Sequence, residues 1–267
     1  MPKPKLFAVV HTPYFRLQCA QQKLLSAEIE SNQQTNLPLF GEPKTIPKTR
    51  DEIPSALLND SEIIEVNPAA DAAGVSLGIT PSLALARAPE LQLYTSVIER
   101  EKQQQEALLQ LCYRYSPFIE NTAPGVCTLD LRGRKDQQQE WWARELLAQW
   151  RILGFTGQIG IGPNPELAEQ AAKFATPYLA VNANSQLLRS LPLESLQPSH
   201  ELLDILHNWG TRTLGELVRL PREDIGVRLG LEGLALWDRA SGSSTKVLHH
   251  LQPPETFRDS IDLEQRL

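Results

Sequence analysis

A chain of 267 residues with 41% hydrophobic and 22% charged side chains has the makings of a soluble globular protein of one large or two to three small domains. A net charge of −6 and a pI near 5.5 argue against a strong general grip on nucleic acid, so any DNA role must rest on a local surface or on partners. No apolar run approaches a membrane span, MPKPKLFAVVH is too short in apolar length for a signal peptide, and Cys19, Cys112 and Cys127 are too scattered for a disulfide framework or zinc site, so the expected setting is reducing and cytoplasmic.

Leu6 to Val10 reads as a short apolar strand, followed by His11-Thr12-Pro13-Tyr14-Phe15-Arg16-Leu17-Gln18. Gln18 to Glu30 is polar with Leu24, Leu25 and Ile29 at helical spacing. Residues 31–61 are rich in Asn, Gln, Pro and Lys and read mostly as loop, with Leu37-Pro38-Leu39-Phe40 able to form an edge strand before Gly41. The β-branched run Ile63, Ile64, Val66 predicts a strand. Asn67 then caps a short Ala-rich helix, with Pro68 in its first turn and Gly74 at its left-handed end. Val75 to Gly78 turn the chain, and a second helix runs from Ser82 to Ala88, closed by Pro89.

This corner, AAGVSLGITPSLALARAPEL at residues 72–91, resembles the fingers-to-palm junction of Y-family DNA polymerases, ARxxGVxxGMxxxxAxxxCPxL. It is closer to the ImuB-like branch, in which VNPAAxAAGVxxGM is typical and whose members are polymerase-shaped accessory factors of mutagenic repair. The resemblance implies an α/β chain with a mostly antiparallel palm sheet and its helices, small fingers and a helical thumb. The implied boundaries are 1–18 for the first palm strand, 19–82 for the fingers, 83–162 for the rest of the palm and 163–240 for a degenerate helix-hairpin-helix thumb. Residues 241–267 would be a linker and the start of a little finger that, with the usual tail, is expected to be missing.

In the family the first strand carries D-x-D-x-F-F/Y-A, and its first Asp holds the catalytic Mg²⁺. Here Phe15 fits, His11 stands at the first Asp, Pro13 at the second, and Arg16 at the aromatic position that excludes ribonucleotides. A neutral imidazole is a poor ligand for Mg²⁺, so His11 is expected to be a hydrogen-bonded or partly exposed structural residue. Gln34-x-x-Leu37-Pro38-Leu39 resembles the peptides that dock into sliding clamps, although position 35 lacks their apolar residue; the competing reading is a fingers strand.

Leu91 to Tyr94 reads as a strand returning to the palm, and Thr95 or Ser96 can cap a helix reaching about Tyr115. Tyr115-Ser116-Pro117-Phe118-Ile119-Glu120 resembles the family's YSPxVE, which leads into S-x-D-E-x-x-L-D. Leu129-Asp130 fits that motif, but its Asp-Glu pair falls on Gly125 and Val126. Two-metal phosphoryl transfer needs carboxylates converging on ions roughly 3.5–4 Å apart. All three expected ligands are replaced, so the resemblance implies no catalytic residue, no metal and no cofactor. Asp130 lies away from the metal pair in the family, and its expected role is structural.

Asp136 to Leu153 is an amphipathic helix with Trp142, Leu146, Trp150 and Leu153 on one stripe, fit for a packed core or for stacking on nucleic acid. A strand from Phe155 to Ile161 leads into Gly160-Ile161-Gly162, where Pro163 and Pro165 remove the N–H donors a phosphate site needs. The family counterpart, G-x-G-x-N-K-x-L-A-K-x-A, starts the thumb near template and nucleotide; its lysines are replaced by Pro165 and Glu169. Trp209 to Gly233 resembles the thumb pattern WGxRTLGxLxxLPxxxxxxRxGxxGxxL of ImuB-like proteins. On that likeness Arg212, Arg228, Gly210, Gly230 and Gly233 are the DNA-binding candidates, since such turns offer backbone N–H groups to phosphates. Acidic side chains outnumber basic ones over 164–240, so phosphate affinity depends on Arg212 and Arg228 sharing a face.

The expected function is that of a non-catalytic adaptor in translesion synthesis and damage-induced mutagenesis, binding DNA weakly and engaging a replicative-type polymerase or the sliding clamp. Two alternatives stay open. One is an active error-prone polymerase drawing on Asp130, Asp136 or Glu120; the other is a truncated protein-binding remnant without DNA affinity.

Overall fold

The computed structural model describes residues 6–22, 52–132, 139–182, 185–243 and 247–252. The chain opens with β1 (Phe7–His11), a helix α1 over 15–22, β2 (Ser55–Asn59) and β3 (Glu62–Val66). It continues through α2 (Pro68–Ala72), α3 (Pro81–Arg87), β4 (Gln92–Thr95), α4 (Ile98–Tyr113), β5 (Ile119–Ala123) and β6 (Val126–Asp130). Then come α5 (Gln139–Ile152), β7 (Gln158–Gly162), α6 (Pro165–Phe174), β8 (Tyr178–Ala180) and α7 (Gln186–Ser190). A short 3-10 helix (Leu193–Leu196), α8 (His200–Asn208), α9 (Leu214–Arg219) and α10 (Arg222–Ser241) follow.

The larger sheet has the order β5-β6-β1-β7-β8, antiparallel except for the parallel β7–β8 pair. Side chains alternate along a strand. Ala8 and Val10 of β1 therefore join Cys127, Leu129, Ile159 and Ile161 in one core with α4 and α5, while Phe7 and Val9 meet Ala168 and Ala172 of α6 on the other face. Trp142 and Trp150 of α5 are buried; Trp150 stacks on Phe155 at 4.3 Å between centroids and donates its indole N–H to Thr12 Oγ1 at 3.0 Å. Burying each such side chain is worth roughly 1.5–3 kcal/mol, and it settles the tryptophan stripe as core. The stripe is shorter than its periodicity suggested: Leu153, past the last buried turn, is half exposed.

Four expectations need correction. Within residues 31–61, read mostly as loop, Ser55–Asn59 forms an unforeseen strand, β2, the centre of a second sheet of order β3-β2-β4. Its Ala56 and Leu57 are fully buried, so it carries none of the alternation that marks a half-exposed strand. The strand at 92–95 does not return to the palm sheet; β4 pairs in parallel with β2. Ala84, Ala88 and Leu91 share one core with Ala56, Ile63, Ala70 and Val75, so the boundary expected between 82 and 83 falls inside this cluster.

The fourth concerns α6, expected to start the thumb. It lies on the large sheet instead, drawn in by two glycines of β7. A Cβ on Gly160 would sit 2.1 Å from the nitrogen of Ala172 and 2.2 Å from the carbonyl of Ala168, and one on Gly162 would sit 2.8 Å from the nitrogen of Ala168. The G-x-G pair thus serves close helix–strand packing. The thumb core itself gathers Leu188, Leu191, Leu193, Leu196, Leu202, Leu206, Leu214, Leu217, Ile225 and Leu236, with Leu167 of α6 reaching into it.

Helix ends follow local chemistry. Asn67, Thr80, Asn164, Ser199 and Thr213 each cap the helix that follows through a side-chain oxygen. Helix α1 starts at residue 15, three residues before its expected start at Gln18, and its Leu17 N–H donates to Glu65 Oε2 on β3 at 2.9 Å. That partner is remote in sequence, so no local motif announced the start.

Candidate functional site

The positions that would hold metal meet at one end of the large sheet. His11 ends β1 and is paired in register with Val126 on one side and Gln158 on the other. Its Nδ1 lies 3.4 Å from Gln158 Oε1, and burial, stronger than that contact, pushes its pKa below the usual histidine value. The imidazole is therefore neutral near pH 7, as expected for a structural histidine. Lys173 and Glu169, one turn apart on α6, form an ion pair at 2.9 Å and both act on His11 electrostatically.

Gly125 occupies the turn between β5 and β6. Its φ is +72°, and Pro124 precedes it, the pattern of a type II turn with Pro and Gly at the two central positions. Thr12 N–H donates to the Gly125 carbonyl at 2.8 Å, and Gly125 N–H donates to Gln105 Oε1 of α4 at 2.7 Å. A Cβ here would lie 2.5 Å from Phe15 Cβ. Pro124-Gly125 is a readable turn signal, masked when Gly125 and Val126 are aligned with the family Asp-Glu pair.

Arg16, aligned with the family's second aromatic, turns to α4, where Nε lies 3.5 Å from Glu101 Oε2; the Ser96 hydroxyl donates to the other Glu101 oxygen. Beside the turn is a cleft of about 410 Å³ floored by Phe15, Leu109, Ala123 and Pro124. Glu101, Lys102 and Glu106 line it, so it offers no surplus of positive charge for a triphosphate.

The remaining acids lie elsewhere. Asp130 pairs in register with Phe7 while Val126 pairs with His11, so Asp130 is four residues, roughly 13 Å, from the His11 end of the sheet. It accepts from Arg132 N and Nε, both at 2.9 Å. Glu120 is buried and accepts from the backbone of His249 at 2.7 Å. Asp136 and the clamp-peptide candidates Gln34, Leu37 and Leu39 lie outside the described residues. Among the described residues no three His, Cys, Asp or Glu side chains converge as a metal site would require.

In the thumb, α10 is two half-helices. Gly230 has φ +64° and ψ −153°, and Arg222 bonds Asp238 twice, at 2.7 and 2.8 Å. Sixteen residues of straight helix would span about 24 Å, so the halves must fold back on each other. Gly233 is buried in that fold-back, where a Cβ would meet Leu229 Cβ at 2.4 Å. Arg228, beside the bend, lies 5.8 Å over the Trp209 ring, which brings it to the α8–α9 turn that holds Gly210 and Arg212.

That turn is not a free phosphate cradle. Trp209 N–H donates to Ile205, Gly210 N–H to His207, and Thr211 N–H to Leu206, at 3.1, 2.9 and 2.9 Å. Arg212 and Thr213 N–H both donate to Glu216 Oε2, at 2.8 and 3.0 Å, which pulls the Glu216 pKa down. Gly210, with φ +79°, is needed for the bend and not as a donor. What the turn leaves for a ligand is the exposed Arg212 side chain.

A family model described as impB/mucB/samB matches residues 26–173, more than half of the chain. The chain belongs to the impB/mucB/samB family. This is the Y-family polymerase group that the motifs resembled. Among curated members, DNA polymerase IV of Yersinia pseudotuberculosis is 25% identical over 236 residues, covering 83% of this chain and 65% of that protein. Protein ImuB of Caulobacter vibrioides is 24% identical over 187 residues, covering 67% of this chain and 40% of that protein. The chain thus spans just under two thirds of the polymerase IV relative. DinB from Sulfolobus solfataricus has the same fold at a TM-score of 0.70 and 15% identity, over 92% of this chain and 69% of that one. A Dbh ternary complex matches at 0.71 with the same identity and coverage. The α/β architecture expected from the sequence is therefore the fold of this family's solved members. No helix among the described residues is long and apolar enough to cross a membrane.

Proposed function

We propose that this chain is a non-catalytic, ImuB-like member of its family, an adaptor in translesion synthesis and damage-induced mutagenesis. It binds primer–template DNA weakly and engages a replicative-type polymerase or the sliding clamp. One observation carries the non-catalytic part: the turn that should present the Asp-Glu pair is a Pro-Gly turn with its glycine under Phe15. The neutral His11, the paired Arg16 and the remote, arginine-bound Asp130 agree with it. Three free, buried cysteines suit a reducing cytoplasm.

Primer extension with Mg²⁺ or Mn²⁺ tests the catalytic part, with no extension expected at enzyme concentrations that saturate the template. Extension abolished by Asp130→Asn would instead establish an active polymerase. A second reading, a protein-binding remnant without DNA affinity, draws support from the spent N–H groups of the α8–α9 turn. Anisotropy with primer–template DNA at two salt concentrations separates the two. Salt-sensitive binding means phosphate contacts, and no binding at low salt favours the remnant.

A further inference from the structure

Helix α6 serves two cores. Ala168 and Ala172 pack on Phe7 and Val9 of the sheet, whereas Leu167 packs among the thumb leucines. Polar side chains on the same helix complete the junction. Asn164 Oδ1 accepts from Leu167 N–H at 2.8 Å and caps α6, while its Nδ2 donates to the carbonyl of Gly242, past the end of α10, at 2.6 Å. Gln170 Nε2 donates to the carbonyl of Ser195 at 3.2 Å, and Glu166 Oε1 lies 3.5 Å from Arg239 Nε. Gly242 must be glycine here, because its φ is +75° and a Cβ would meet Leu167 Cδ1 at 2.6 Å.

The seam is unfinished. Glu166 Oε2 and Gln170 Oε1 are buried and have no hydrogen-bond donor among the described residues. An acceptor taken from water without a donor opposes burial. Any shift of the thumb that admits water, or brings a donor, relieves both. Of the polar contacts across the seam the Asn164 bond is the shortest; the other two are longer and each comes from a side chain with an unmet acceptor, which is the pattern of a hinge held mainly at one point.

We propose that Asn164 is the latch of a palm–thumb hinge. Its amide bond to Gly242 holds the thumb in the position seen here, and its loss lets the thumb swing about α6. Asn164 is thereby a positioning residue that sets where Arg212 and Arg228 stand relative to the palm, whether or not the chain binds DNA.

Asn164→Asp separates the two roles of this side chain. It keeps the oxygen that caps α6 and replaces the donor facing Gly242 with a second acceptor. Spin labels can be placed on the full chain at Ile152→Cys and Val227→Cys, which are 84% and 87% exposed, while the three native cysteines are buried. The parent is expected to give one narrow label–label distance. Asn164→Asp is expected to broaden it or add a second population, with hydrogen-exchange protection of the Leu167 amide retained. An unchanged distance distribution overturns the hinge. Should that variant fold poorly, Asn164→Ser, which also caps but cannot reach Gly242, decides on the same readout.

Discussion

The backbone N–H of Thr12 donates to the carbonyl of Gly125 at 2.8 Å, fastening the end of β1 to the β5–β6 turn. In a two-metal polymerase these two segments would each supply a carboxylate to a shared ion. Here they are closed on each other, with Phe15 packed into the space a side chain at 125 would need. Gly125→Asp should therefore destabilise the fold by roughly 2–4 kcal/mol, from the positive φ and the clash together. Urea unfolding measures this. His11→Asp combined with Val126→Glu should fold and still bind no Mn²⁺ by titration; a tight site in that double variant would show that the turn can adapt.

Gly160 and Gly210 separate two reasons for glycine. Gly160→Ala drives a methyl into the backbone of α6 and should cost about 3 kcal/mol or more. Gly210→Ala meets nothing within 4 Å and suffers only from its positive φ, so about 1–2 kcal/mol is expected. Thermal unfolding of the two variants ranks them, and equal losses would refute the packing account of the G-x-G pair.

The cysteines should be silent to thiol reagents in the native protein. Burial, reinforced by Glu101 and Glu65, pushes Cys19 up to about 12, and the Cys112 contact together with burial raises Cys127. The thiolate is the reactive form. A chromogenic disulfide reagent at pH 8 should report no free thiol until denaturant is added, and then all three.

His11 sets a pH dependence of known sign. Its folded pKa lies below the unfolded value near 6.5, so between the two the unfolded chain binds the proton that the native chain refuses. Stability is then unaffected well above pH 6.5 and falls as pH drops through that value. His11→Gln should flatten the loss between pH 7.5 and 5.5 in urea melts. An unchanged slope would place the acid sensitivity elsewhere.

If DNA is bound through the thumb, Arg212→Ala and Arg228→Ala should each weaken it uniformly across sequences and lower the salt slope by about 1. Arg228 also stacks on Trp209, so its loss should raise tryptophan exposure as well. A change in affinity with no change in salt slope would speak for packing and not for phosphate contact.

Much of this molecule was legible where the chemistry is local. Asn67, Pro68 and Gly74 define α2 in the sequence as they do in the structure, with the Asn67 side chain accepting from Ala70 N–H. Trp142, Leu146 and Trp150 announced the buried face of α5 by spacing alone. The family motifs single out His11, Gly125 and Val126, and pairing of β1 with β6 brings these positions to one end of the large sheet. What stayed hidden depends on pairing across the chain. β2 lacks alternation because it is covered on both sides, and β4 could be assigned to a sheet only through its partner. Likewise, the fate of the N–H groups around Gly210 is decided by Glu216 and by carbonyls of α8, which no turn signature reveals.

Residues 247–252 cross the large sheet towards β5. Leu248 is buried against Phe7 and Val9, and Leu251 N–H donates to the carbonyl of Ile119 at 2.9 Å, while Tyr113 bonds the carbonyl of Gln252 at 3.2 Å. A sheet with a bare edge is a template on which another chain can extend it. On the β5 side the Ile119 carbonyl at one end of that template is already taken by the protein's own backbone, and on the far side β8 offers three residues. Among the described residues, then, the segment after the thumb returns to the palm and ties the first strand, the β5 edge and α4 to one stretch of backbone.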